Sequence, residues 1–285
     1  MPVNARRLIR KMRGGAQAHL LECDDGNCYV VKFRNNPQHR RILVNEWISS
    51  VFLDYLRISS PSAAIVSISP EFLGANPEVH IQLGSQKTPP TDGWHFGSRF
   101  PGDPSRVAVY DFLPDVLLRK VANAREFLGI FAFDKWMANV DARQAIFFRA
   151  RLREQIGFHR GGEDGEESEL GRTGFIAAMM DNGYVFDGPR WSFPDSPLQG
   201  LYHRTMIYDA VSGLDDFQPW LDRITYFPDE VIDEAWKQIP PPWLNGDSDA
   251  LTSMLEGLQR RRKRVPELIR EVARRARVNP FPGWT

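Results

Sequence analysis

The chain has 285 residues, enough for one large domain or two lobes around a substantial core, and its 42% hydrophobic and 12% aromatic content excludes a disordered or fibrous protein. Lysine plus arginine (36) equals aspartate plus glutamate (36), so no global field draws it to nucleic acid or an anionic membrane. Two cysteines, Cys23 and Cys28, exclude a disulfide framework; with no signal-peptide core after Met1 and no run near the ~18 apolar residues of a membrane helix, a cytoplasmic protein is expected.

In chain order, Ala18 to Cys23 and Cys28 to Phe33 read as strands, and Asp25-Gly26-Asn27 supplies the positive-φ residues of a tight hairpin between them. From Arg40 to Leu56 the apolar residues Val44, Ile48, Phe52, Tyr55 and Leu56 recur at helical spacing, a docked amphipathic helix that Ser59-Ser60-Pro61 ends. Ala63 to Ile68 is a strand. The loop Thr88 to Gly93 leads to another strand around Trp94 to Phe100, and Pro101-Gly102-Asp103-Pro104 marks a boundary between a β-rich first part, 1–102, and a mainly helical remainder, 103–285.

In that remainder, Asn123 and Glu126 read as a helix-capping pair, and Phe127 to Met137 is apolar on nearly every side, as a central helix is. Ala145 to Ala150 and Phe175 to Met180 read as strands separated by a glycine- and acid-rich surface loop over Gly161 to Gly171. Another short strand, Tyr184 to Phe186, precedes an aromatic and proline-rich stretch and then helices to the end. His19, His39, His80, His95, His159 and His203 show no zinc spacing. Arg260 to Arg264 offers a polyanion surface, but a solvated helix face is its commoner use, so a nucleic-acid partner is not expected.

Three residues stand where phosphoryl transfer needs them. That chemistry asks a protein chiefly for positioning and charge neutralisation: a lysine on the phosphates, a base beside the acceptor hydroxyl, and a carboxylate for Mg²⁺. Lys32 ends a strand-like run that follows the pair Gly14-Gly15. Asp141 lies in the polar stretch Asn139 to Gln144 between a buried helix and an apolar strand, and Asp181 leaves a core strand beside Gly183. Each has a plainer alternative: an ordinary glycine turn, a solvated strand lysine, and turn aspartates.

Gly14-Gly15-Ala16-Gln17, Tyr29 to Phe33 with Lys32, Val44-Asn45-Glu46, Phe133-Asp134-Lys135-Trp136 running into Asn139-Val140-Asp141, and Asp181 together resemble the HipA family of bacterial kinases. The likeness runs from about Met12 to about Tyr208 and is nearest to compact members without the toxin's extra N-terminal module. It implies an α+β, bilobal, protein-kinase-like fold and an ATP- and Mg²⁺-dependent kinase acting on a protein serine or threonine. Gly14, Gly15, Ala16 and Gln17 would then cover the phosphates, and Lys32 would hold them while pairing with Glu46. ATP would lie near Arg99 and Phe100, Asp141 would act as catalytic base with Arg143 on the γ-phosphate, and Asp181 would hold the metal. Family precedent for the substrate is glutamyl-tRNA synthetase, and an antitoxin-like partner is a further implication.

Two positions depart from the family pattern. The asparagine expected five residues after the catalytic aspartate is replaced by Ile146, with Gln144 the nearest amide oxygen able to serve a metal. Met12 stands where the toxin carries its autophosphorylated serine, so that switch is absent. A nucleotide-binding pseudokinase and a kinase-fold enzyme that moves AMP are the alternatives.

Overall fold

The computed structural model describes residues 1–151, 173–196, 198–275 and 279–284; the loop expected over 161–171, and His159, lie outside the described residues. The first elements are β1 (Val3–Lys11), β2 (His19–Cys23), β3 (Cys28–Lys32), α1 (Arg41–Leu56), β4 (Ala63–Ile68), α2 (Pro70–Ala75), β5 (Ile81–Leu83), β6 (Gln86–Thr88) and β7 (Gly93–Arg99). Five of these strands close a barrel in the order β1-β2-β3-β7-β4, and β1 completes it by pairing antiparallel with β2 and parallel with β4. Leu21, Val31, Phe33, Val66 and Ile68 fill its interior together with Phe72 from α2. The hairpin between β2 and β3 turns at Gly26, the only left-handed residue there (φ +76), so of the expected turn residues glycine alone does that work.

β1 was hidden in the sequence. Its exposed cations Arg6, Arg7, Arg10 and Lys11 dilute the apolar signal, and two register shifts against β2 break the alternation that marks a half-buried strand.

The remaining elements are β8 (Val109–Tyr110), α3 (Asp115–Leu118), α4 (Glu126–Trp136), β9 (Gln144–Arg151), β10 (Thr173–Met180), α5 (Trp220–Thr225), α6 (Asp229–Lys237), α7 (Pro241–Leu244), α8 (Ser248–Arg261) and α9 (Val265–Arg275). β10, β9 and β8 form an antiparallel sheet whose register sets Gln144 opposite Met180, so the loop entering β9 and the residue leaving β10 emerge side by side. One core joins α1 to these elements. Phe52 of α1 stacks on Trp136 of α4 with centroids 5.4 Å apart and meets Phe227 at 4.7 Å. α1 is therefore buried on most sides, including its polar residues Asn45, Glu46 and Ser49, rather than docked by one stripe.

Three expectations are corrected. Tyr184 to Phe186 is no strand: Val185–Arg190 forms 3₁₀ turns broken by left-handed Phe186 and Asp187, because the backbone carbonyls there are taken by a side chain from α1. Asn123 and Glu126 do not cap α4. Asn123 exchanges two hydrogen bonds of 2.8 Å with the Ala177 backbone, and Glu126 accepts from the Ser59 amide at 2.6 Å, so both stitch the helix to its neighbours. The basic run 260–264 is a solvated face only in part: Arg260, Lys263 and Arg264 are exposed, but Arg261 is not. Arg261 is buried and, with Arg264, grips Asp195 at 2.6 and 2.8 Å, while Arg262 pairs with Asp229 at 3.1 Å.

Inside the barrel, His95 of β7 is fully buried against Phe33. Its Nδ1 accepts from the Arg34 amide at 2.9 Å, which leaves Nε2 to donate to the Thr91 carbonyl at 2.9 Å. Both ring nitrogens are committed in the neutral form, and burial pushes the pKa down to about 4. The unfolded chain binds this proton near pH 6.5 and the folded chain does not, so the stabilisation is complete above pH 6.5 and is lost as pH falls towards 4. On the order of 3 kcal/mol is at stake. Denaturant titrations at pH 7, 5.5 and 4.5 should show a steep loss for wild type and a shallower one for His95→Gln; parallel slopes would refute the assignment.

Candidate functional site

A cavity of about 360 Å³ opens between the barrel and the β9–β10 sheet, within the size range of small-molecule sites. Gly14, Gly15, Ala16, Gln17, Lys32, Arg99, Phe100, Asp141, Gln144 and Asp181 all line it. Ten of the expected site residues, from separate stretches of the chain, thus face one space. A larger neighbouring cavity of about 750 Å³ shares Pro61, Arg99, Phe100, Pro101 and Ile146 with it but touches none of Lys32, Asp141 and Asp181.

Lys32 ends β3 inside the site, not as a solvated strand residue. Its Nζ donates to Glu46 Oε1 at 2.5 Å and to Asp181 Oδ1 at 2.7 Å, so a single ammonium joins the barrel, α1 and the residue after β10. Burial opposes its charge, but the two carboxylates outweigh that and hold the Lys32 pKa above its ordinary value. Asp181 is likewise pushed up by burial, yet Lys32, the Arg143 charge and the Gln144 amide together keep it below the usual aspartate value. The carboxylate is therefore ionised at neutral pH. Asp181 is left-handed (φ +60), a conformation aspartate tolerates better than most residues, and it turns the chain out of β10 towards the cavity.

Glu46 is buried on α1 and reaches the cavity only through Lys32. Its neighbour Asn45 does the structural work that the sequence did not disclose. Asn45 Nδ2 donates to the carbonyls of Gly183 (2.7 Å), Val185 (3.1 Å) and Gly188 (3.0 Å), and its Oδ1 accepts from Trp191 Nε1 at 2.8 Å. Gly183 lets α1 come this close, since a Cβ there would lie 2.6 Å from Ile42 Cγ2.

Asp141 is exposed to the cavity. Its amide donates to Asn139 Oδ1 at 3.1 Å, its Oδ1 accepts from the Ala142 amide at 2.8 Å, and its carbonyl accepts from Gly200 at 3.2 Å. Gln144 reaches Asp181 as its position suggested, but through nitrogen: Nε2 donates to Oδ2 at 3.1 Å, and the amide must rotate to offer oxygen to a cation. Ile146 lies on β9 in the apolar cavity wall.

The structure moves Arg143 away from the phosphate role. Its side chain is fully buried and bonded bidentately to Asp134 through Nε (2.8 Å) and Nη2, and Nη1 donates to the Met180 carbonyl at 2.8 Å and Asn182 Oδ1 at 2.9 Å. Four of its five N–H groups point inward, so it does not line the cavity. Gln17 is also diverted: its side chain exchanges two bonds with the Gln82 backbone, at 2.8 and 2.6 Å, and anchors the glycine turn to β5. Sequence reading gave no role to Asp134, Asn139 or Asn182. A carboxylate in the apolar helix Phe127 to Met137 was the available signal, because a buried charge needs a partner.

Residues 6–146 match the family model described as HipA-like kinase. No curated protein matches. Among solved structures, the Golgi casein kinase with Mn/ADP bound is 11% identical over 95% of this chain and 72% of that chain, with a TM-score of 0.51. Fam20 from hydra, solved with sugar, is 12% identical over 96% and 86%, with a TM-score of 0.49. At such identity the first likeness concerns the fold alone, and the chain has an α+β, protein-kinase-like fold.

Asn45→Ala would strip four hydrogen bonds from buried groups. Each carbonyl or N–H left without a partner costs about 1–3 kcal/mol, so a loss of roughly 3 kcal/mol or more is expected. Denaturant unfolding should record it, and limited proteolysis should open the chain within Gly183 to Trp191; wild-type resistance in that stretch would refute the clamp.

Proposed function

We propose that this chain, whose residues 6–146 match the HipA-like kinase model, is a HipA-like kinase that transfers the γ-phosphate of ATP, with Mg²⁺, to a serine or threonine hydroxyl of a protein. The observation that supports this is the convergence of the Gly14-Gly15 turn, Lys32, Asp141 and Asp181 on one cavity. In this reading the chain is bilobal, with the barrel lobe ending near Gly102 and ATP held between the lobes beside Arg99 and Phe100. Lys32 binds the phosphates and is aligned by Glu46. Asp141, held by Asn139, orients the acceptor hydroxyl and takes its proton.

The donors suit a cation that arrives with a nucleotide. Among the described residues no group of three or more His, Cys, Asp or Glu forms a metal cage. Mg²⁺ bound with phosphates needs only one or two protein carboxylates, and Asp181, about a third exposed beside the Gln144 amide, meets that need. When bound, the ion would neutralise charge on the transferring phosphoryl group. The Golgi casein kinase, of similar fold, was solved with Mn/ADP, which fits a nucleotide with a divalent ion here too. The acceptor protein, with glutamyl-tRNA synthetase as family precedent, and an antitoxin-like partner stay proposals that no residue of the site specifies.

Ile146 favours one rival, a nucleotide-binding pseudokinase, because it removes an amide where a second metal ligand is expected. Incubation with γ-labelled and, separately, α-labelled ATP decides: label from the first alone supports the kinase, label from neither the pseudokinase, and label from the second alone an AMP transferase. Asp141→Asn should keep nucleotide binding and lose about 10²–10⁴ in rate. Wild-type turnover in that variant would make Asp141 structural.

A second measurement concerns Asp181. A nucleotide at 100 times its Kd adds about 2.7 kcal/mol to stability. Thermal melts with ATP should rise further on adding Mg²⁺ for wild type and not for Asp181→Ala; an undiminished Mg²⁺ response would remove the metal from Asp181.

A further inference from the structure

We propose that the buried Asp134–Arg143 pair is a positioning unit that fixes Asp141 and Asp181 relative to one another, acting on both without touching nucleotide or acceptor. The inference rests on the kinase reading for what the two aspartates do, but not for how they are held. Both side chains are fully buried. On one side, Asp134 Oδ1 accepts from Asn139 Nδ2 at 2.9 Å and its carbonyl from the Asn139 amide at 3.0 Å; Asn139 Oδ1 in turn holds the Asp141 amide. On the other side, Arg143 Nη1 grips the Met180 carbonyl and Asn182 Oδ1, the residues immediately before and after Asp181. One ion pair thus ties the loop that enters β9 to the one that leaves β10.

The packing around the pair is equally specific. Gly200 is left-handed (φ +70), and a Cβ there would overlap the Asp134 side chain, so the returning chain lies directly against the carboxylate. From that position Gly200 donates to the Asp141 carbonyl and Leu201 accepts from the Arg143 amide at 3.3 Å. A buried ion pair is weak evidence for stability, since apolar residues of like volume often stabilise as well. What apolar residues cannot supply is a planar guanidinium that bonds a carboxylate with one edge and, with its remaining nitrogen, a backbone carbonyl and a side-chain amide oxygen. This is how supporting groups orient ligands around metal sites, where losing one typically costs about 10- to 100-fold in affinity or activity.

Arg143→Lys keeps the charge and loses the fork. Two readouts test it. Hydrogen exchange should rise together in Asn139 to Ala142 and in Met180 to Gly183, with the α1 segment around Glu46 unchanged. In steady-state transfer assays, kcat should fall about 10- to 100-fold and the Mg²⁺ needed for half-maximal rate should rise, while ATP binding measured without metal stays within about twofold. A global rise in exchange, or exchange and Mg²⁺ dependence superimposable on wild type, would overturn the positioning role. Should Arg143→Lys fail to fold, Asn139→Ala removes one limb of the unit; faster exchange in both loops supports the coupling, and faster exchange confined to 139–142 overturns it. Coupled exchange in a wild-type protein that transfers no phosphate would support the unit and overturn the kinase reading instead.

Discussion

The Lys32 ammonium between Glu46 and Asp181 is the contact on which the rest depends. Strand β3, helix α1 and the exit of β10 are separate elements, and a cation paired with two carboxylates is where they meet. A charge so enclosed must be compensated, so any arrangement that separates these elements exposes an unpaired ion at a cost of several kcal/mol. That constraint explains why α1 is buried on most sides. Its Phe52 side belongs to the core shared with α4 and Phe227, and Asn45 and Glu46 face the segment after Asp181.

Much of this was legible because local rules and tertiary demands coincide. The β2–β3 hairpin, β4, β9 and β10 follow from apolar runs between turn residues, although burial does not simply alternate along them: β10 buries Ile176 to Met179 consecutively. β1 and the 185–190 segment were not legible, for opposite reasons. β1 is a polar barrel strand whose pattern is broken by bulges, whereas the Val185–Phe186 pair is apolar for packing while its backbone serves Asn45. No sequence period reports a hydrogen bond made 140 residues away.

The site divides the same way. Lys32, Asp141 and Asp181 were readable because each ends or follows an apolar element, a position that exposes a polar side chain at a rigid edge. Arg143 was misread because its neighbours in sequence are polar and give no hint of burial. Its partner Asp134 lies nine residues away on α4, and only the folded turn at Asn139 brings the two together. The residues that orient the site are thus harder to see than those that line it, since their role is defined wholly by other side chains.

The cavity also has an internal polarity. The barrel lines it with Arg10, Arg13, Lys32 and Arg99, and the opposite side lines it with Asp111, Asp141 and Asp181. A bare polyanion would be drawn to the barrel side and opposed by the other, and a bare divalent ion would meet the reverse. An ion–polyanion pair would satisfy both sides in one orientation, cation towards the carboxylates, so affinity for each member would be coupled to the presence of the other, and reciprocally. Such a cleft would act as a coincidence detector for two oppositely charged guests.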